Sequence, residues 1–197
     1  MPAIGENMSQ LDLAVNLEPL LSQVTAEDCP HSSFHSLNEE EMPEVFRGLL
    51  CHQGDMTSTL EHFFEDEIAI HALNSRMESD VYSRRVLLFL KRSGRCVEYR
   101  GIQINLDAFP EEARQLILEE KEPLCAILNK LKIPHHSQPD CYMWIKENPS
   151  LNLIFPHDPA EPLYGRCNRL KTPEGQVLAK AVEIMPALDP TDGKERR

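Results

Sequence analysis

Arg84 and Glu183 stand in two separate alternating runs that read as β-strands, so folding can bring a cation and a carboxylate into one pocket. Arg84 opens RRVLLFLKRSGRCVEYRGIQINL (84–106), two strand-like stretches joined by a turn at Ser93-Gly94. Glu183 lies between Val182 and Ile184 in GQVLAKAVEIMPA (175–187). A fixed cation and a partly buried carboxylate suit the two ends of a small acidic, aromatic-like molecule. Arg84 and Arg85 are neighbours on a strand and point to opposite faces, so at most one looks into the core. An inward arginine needs a counter-charge or an anionic ligand, because an unpaired buried charge is costly. Arg100, Arg166 and Arg169 are the cations that can complete the patch, and the planar guanidinium fork suits a carboxylate. The plain alternative is a set of surface arginines on amphipathic strands. Glu183 divides the same way. Facing inward it should have a raised pKa, fitting a general acid or a hydroxyl partner; facing outward it is an ordinary solvated residue.

Two loop-to-helix junctions add backbone donors. GDMTSTLE (54–61) offers free N–H groups suited to a carboxylate, unless it is simply a capped helix start. Pro123-Leu124-Cys125 starts another helix, leaving the Leu124 or Cys125 amide without an intrahelical partner. Cys125 in that place has the setting of a nucleophilic thiolate, but no His is tied to it by any motif. No Gly-rich phosphate loop and no GxSxG occurs.

At 197 residues, 41% apolar and 26% charged, the chain has the size and balance of one globular domain with a sizeable core. No apolar run reaches the ~20 residues that span a bilayer, and the acidic start (Glu6, Asp12) lacks the basic region of a secretory signal. A cytoplasmic protein without a membrane partner is expected. The net charge of −12 argues against nucleic acid and anionic membranes. It also means that an anionic ligand needs several local cations. The six cysteines are scattered and read as reduced thiols. Cys29-Pro-His31-x3-His35, and His135-His136 near Cys141, lack paired zinc spacing, so no metal site is assigned.

The elements that must position these groups follow from local pattern. An amphipathic stretch (Leu11 to Val24) and a polar loop at Asp28–Asn38 form an N-terminal extension, 1–38; a domain over 39–187 and a polar tail, 188–197, follow. Helices are expected over Glu39–Leu50, from near Ser58 with Asp55 or Thr57 as cap, over Glu111–Glu120 and over Pro123–Leu131. Strands are expected over Ile68–Met77, Val81–Leu90, Cys96–Leu106, Cys141–Ile145, Asn148–Phe155, Leu163–Lys171 and Gln176–Met185, the last two joined by a turn at Thr172–Gly175. Helices, strands, helices, strands in that order give an α+β domain, a largely antiparallel sheet flanked by helices.

Taken in order, GDMTSTLE, YSRRVLLFL, EYRGIQINL, EEKEPLCAIL, PLYGRCNRL and QVLAKAVEIMPAL resemble the chorismate pyruvate-lyase family, of UTRA-like fold, over about residues 40–187. The resemblance implies a compact α+β fold and conversion of chorismate to 4-hydroxybenzoate and pyruvate without metal or organic cofactor. It places Arg84 on the arginine that holds the ring carboxylate and Met56 on the residue whose amide also contacts it. Leu124 falls on the residue whose amide meets the ring hydroxyl or ether oxygen, Glu183 on the carboxylate facing that oxygen, and Arg100 on a second-strand arginine of the family. Orientation, exclusion of water and a carboxylate at the departing oxygen are what such an elimination asks of a protein. The sequence departs from the pattern at Cys125, where the family has glycine, at Arg85, where an acidic residue is usual, and throughout the first forty residues. These departures leave two alternatives, a lyase acting on another small aromatic or enolpyruvyl acid and a non-catalytic small-molecule-binding protein. The same fold serves as a sensor domain in some transcription regulators, but no helix-turn-helix or basic arm is visible.

Overall fold

Alternating apolar residues dictate most of the architecture. The computed structural model describes residues 34–146, 149–155, 161–188 and 192. Seven strands are formed: β1 (Phe34–Leu37), β2 (Ile68–Glu78), β3 (Val81–Leu90), β4 (Cys96–Asn105), β5 (His136–Ile145), β6 (Leu163–Lys171) and β7 (Val177–Met185). They make one antiparallel sheet in the order β1-β5-β6-β7-β4-β3-β2. Helices α1 (Glu44–Leu50), α2 (Met56–Phe64), α3 (Glu111–Leu118), α4 (Leu124–Lys130) and α5 (Pro149–Ile154) lie against it. This is the α+β class expected from the order of elements.

One sheet face packs Tyr99, Met143, Val182 and Ile184 against Leu151 and Phe155. On the other face, α1 and α2 set Leu49, Leu50 and Leu60 on Val86, Leu88 and Met185, and α3 and α4 set Ile117, Leu124 and Ile127 on Ile102, Ile104 and Leu178. Each fully buried aliphatic side chain contributes about 1.5–3 kcal/mol. The strands joining the two clusters carry the charged residues described below.

Several local expectations change. Residues 34–37, expected in a polar loop, add an edge strand by pairing Phe34 with Ile145 and Leu37 with Tyr142. Glu39–Leu50 is a 3₁₀ turn at Glu39–Glu41 and then α1, because Pro43, lacking an N–H, sits at the helix cap. Residues 149–154 form α5 instead of a strand, with Leu151 and Phe155 four apart on one buried face. The strand expected at Cys141–Ile145 begins at His136 and absorbs Pro139 at an irregularity in its pairing with β6. The stretch from Leu11 to Val24 lies outside the described residues.

Candidate functional site

Cross-strand register builds the site. Arg166 on β6 stands opposite Glu183 on β7, and Glu183 stands opposite Arg100 on β4. Residues directly opposite share a face. Arg100 is opposite Val86, two residues from Arg84 on β3, so Arg84 lies on that face as well. Glu98, two residues before Arg100, completes the set. Among the described residues these five are the charged residues buried as a whole: Arg84 2% exposed, Glu98 0%, Arg100 5%, Arg166 0% and Glu183 3%.

Four of the five neutralise one another. Arg100 Nε donates to Glu98 Oε1 at 2.7 Å and Nη2 to Oε2 at 3.1 Å, while Nη2 lies 3.4 Å from Glu183 Oε1. Arg166 Nε donates to Glu183 Oε2 at 2.5 Å, and its Nη1 donates to the Leu50 and His52 carbonyls at 2.9 and 3.0 Å. The backbones of β6 and β7 approach closely at this row: a Cβ on Gly165 would lie 2.6 Å from the Glu183 carbonyl oxygen. His52 Nδ1 accepts from the Gly54 N–H at 3.1 Å, so Nε2 donates to the Leu49 carbonyl at 2.8 Å. Burial, then the Arg166 charge, lowers the His52 pKa and keeps the ring neutral.

Arg84 differs. It makes no ion pair with any described residue. Its Nη1 and Nη2 donate over 3.4 and 3.2 Å to the Ile117 carbonyl at the end of α3 and the Glu122 carbonyl before α4. Its Nε, like Arg166 Nη2, is buried without a hydrogen-bond partner, and unlike Arg166 it has no carboxylate either. Burial lowers its pKa, an effect that the neighbouring Tyr82 and Glu120 partly offset, though an arginine remains protonated at any working pH. Glu120 itself is held by the Tyr82 hydroxyl. Arg85, on the opposite face, turns outward to Asn74.

The two helix starts flank this row. The Asp55 carboxylate caps α2 by accepting from the Thr57 and Ser58 amides at 3.1 and 3.3 Å. The Met56 amide stays outside that cap. Leu124 is the first residue of α4, behind Pro123, whose carbonyl accepts from Ile127. Cys125 follows, close enough to Asp55, Arg100 and Glu183 for their charges to act on it. Burial, then Asp55, pushes its thiol well above the ordinary value, so it is no thiolate nucleophile. Arg169 does not join the row; it pairs with Asp140 at the rim.

The charge state expected of Glu183 changes. Inward placement was expected to raise the Glu183 pKa. Burial does act in that direction, but Arg166 and then Arg100 hold the carboxyl below the usual range, so Glu183 has no proton to give near neutral pH. The raised group is Glu98, absent from the sequence reading: burial pushes it up to about 7 against the pull of Arg100. Its only sequence signal was an acidic residue alternating with an arginine inside an apolar run. Among the described residues no group of three or more His, Cys, Asp or Glu is placed to hold a metal ion. His35 stacks on Trp144 at 4.1 Å, His135 Nδ1 meets the Ile133 carbonyl, and Cys29 and His31 lie outside the described residues. Cys51, Cys96, Cys125, Cys141 and Cys167 are free. No helix among the described residues is long and apolar enough to cross a membrane.

No protein-family model and no curated protein sequence matches the chain. Solved structures do. PhnF from Mycobacterium smegmatis superposes with a TM-score of 0.53 at 8% identity, over 91% of this chain and 86% of that one. The effector domain of the same protein gives 0.52 at 8% identity, over 68% and 89%. YydK from Bacillus subtilis subsp. subtilis str. 168, described as a possible transcriptional regulator, gives 0.50 at 10% identity, over 94% and 90%. At such identities the likeness is one of fold.

These neighbours overturn the expectation of a carbon–oxygen lyase making 4-hydroxybenzoate and pyruvate from chorismate, and with it the link to aromatic acid biosynthesis. Two are described as an effector domain and a possible transcriptional regulator, and none of the three is described as a lyase. The geometry explains the failure. The carboxylate assigned to the departing oxygen is ionised and held by two guanidiniums, with no proton for a leaving group. The exclusion of nucleic acid also loses its footing, because YydK shares the fold and is described as a possible transcriptional regulator. The chain has the α+β fold of these regulator and effector domains.

Proposed function

We propose that the chain is a non-catalytic small-molecule-binding domain whose ligand is a small organic anion held at Arg84. The observation that carries this reading is the buried Arg84 Nε–H, without a hydrogen-bond partner on a guanidinium that has no carboxylate. A buried cation in that condition is costly unless an anion completes it. Met56 and Leu124, at the starts of α2 and α4, are the residues we assign to the ligand through their backbone amides, with Arg100 and Glu183 forming the floor. The description of the PhnF neighbour as an effector domain supports the same role. The domain is residues 39–187 completed by strand β1, and we place it in the cytoplasm. Thermal unfolding of the full chain with benzoate or inorganic phosphate tests the reading. A rise in Tm that saturates with concentration and vanishes in Arg84→Met is expected. An unmoved Tm for every small anion tried removes it.

A further inference from the structure

If Arg84 is the anion site, as proposed above, the charge of its ligand follows from the groups around it. Three guanidiniums and two carboxylates are buried together: Arg84, Arg100 and Arg166 with Glu98 and Glu183. One positive charge remains without a buried counter-charge, and it resides on Arg84, where the half-buried Glu120 carboxylate offsets it only in part. A singly charged anion there brings the cluster to neutrality. A doubly charged anion leaves a net negative charge in a dry interior, where it is expensive. The least costly relief is a proton on one carboxylate. Glu183 is unsuited to take it, since its two oxygens face two guanidiniums, Arg166 at 2.5 Å and Arg100 at 3.4 Å. Glu98 has a single guanidinium partner, Arg100.

We propose that this site selects singly charged over doubly charged anions, and that a doubly charged anion enters only with a proton taken up by the Glu98 carboxylate. The titratable neighbours are consistent with that assignment, Cys96 included, whose thiol burial pushes up to about 11 so that it keeps its proton. Arg100 on the same strand, Glu183 on β7 and Arg166 on β6 act on Glu98 directly, and burial dominates, placing it at about 7. Leu88 lies opposite on β3. From the helical side, His52 faces Arg166 and Glu183 and is kept neutral. Cys125, facing Asp55, Arg100 and Glu183, keeps its proton. Glu98 is thus the group in this row poised to change charge near neutral pH.

Methanesulfonate and sulfate test the selection, because they share a tetrahedral head and differ by one charge, and sulfate stays doubly charged throughout the working range. Isothermal titration of the full chain at about pH 8, in two buffers of different ionisation enthalpy, counts protons. We expect about one proton taken up per sulfate and none per methanesulfonate, with methanesulfonate bound roughly tenfold more tightly. Sulfate affinity should rise by up to about tenfold on lowering the pH by one unit. Glu98→Gln, isosteric and permanently neutral, should abolish the proton uptake and reverse the preference. Sulfate bound without proton uptake in the wild-type chain overturns the proposal even if Glu98→Gln fails to fold. Uptake that persists in Glu98→Gln overturns it too. Binding of neither ion, or binding undiminished in Arg84→Met, overturns the anion site itself, an outcome distinguishable from failure of the selection alone.

Discussion

Arg84 on β3 and Arg166 on β6 are equally buried and keep different company. Arg166 meets a carboxylate and two carbonyls, and its charge is balanced in place. Arg84 meets two carbonyls over longer distances and no carboxylate. In the first case the charge holds strands and the α1–α2 loop together. In the second it lacks a carboxylate partner, and the proposed anion would supply one. Burial alone therefore says little about the role of a strand arginine; its counter-charge decides.

Arg166→Met leaves Glu183 buried with Arg100 alone and two carbonyls without a donor, and should cost about 3–5 kcal/mol in urea unfolding. A loss below about 1 kcal/mol would mean that the pair is not structural. Gly165→Ala pushes a Cβ into the Glu183 carbonyl and should cost about 1–3 kcal/mol, since the contact is backbone and cannot swing aside. Arg84→Met should change stability by no more than about 1 kcal/mol, two long hydrogen bonds being lost along with the desolvation cost of an unpaired charge. Loss comparable to Arg166→Met would make the two arginines alike.

A further effect is in the pH profile. Glu98 is raised from 4.5 to about 7 in the folded chain. A raised folded-state value contributes stability that is complete below the unfolded value and disappears as pH rises through the folded one. Glu98→Gln should therefore gain Tm relative to wild type on going from about pH 5 to about pH 8. Glu183, held low, works in the opposite sense: its contribution is present above the unfolded value and is lost on acidification. A Tm difference between Glu98→Gln and wild type that stays constant over that interval would remove Glu98 as a titrating group.

Much of this was legible in the sequence. The run 84–106 declares two strands through alternation, and adjacency of Arg84 and Arg85 already implies that one faces inward. The Asp55 cap and the helix after Pro123 are written in local residue types. The edge strand Phe34–Leu37 was hidden because four residues beside a polar loop carry no period, and β5 supplies its partner from far along the chain. Helix α5 was hidden because its short apolar run fits a strand equally well. The state of the charges was the least legible part. Arg84 finds its carbonyl partners 33 and 38 residues away, and Arg166 finds the Leu50 carbonyl 116 residues away. Whether an inward Glu183 would be raised or lowered depended on which arginines reached it, and register across three strands decides that.

Arg84, on the function proposed above, is a cation held ready for an anion. Isothermal titration of the wild-type chain and of Arg84→Met with benzoate tests it most directly. Saturable one-to-one binding to the wild type, lost in Arg84→Met while the variant stays folded, is the predicted result. Equal binding to both chains, or none to the wild type, would contradict it.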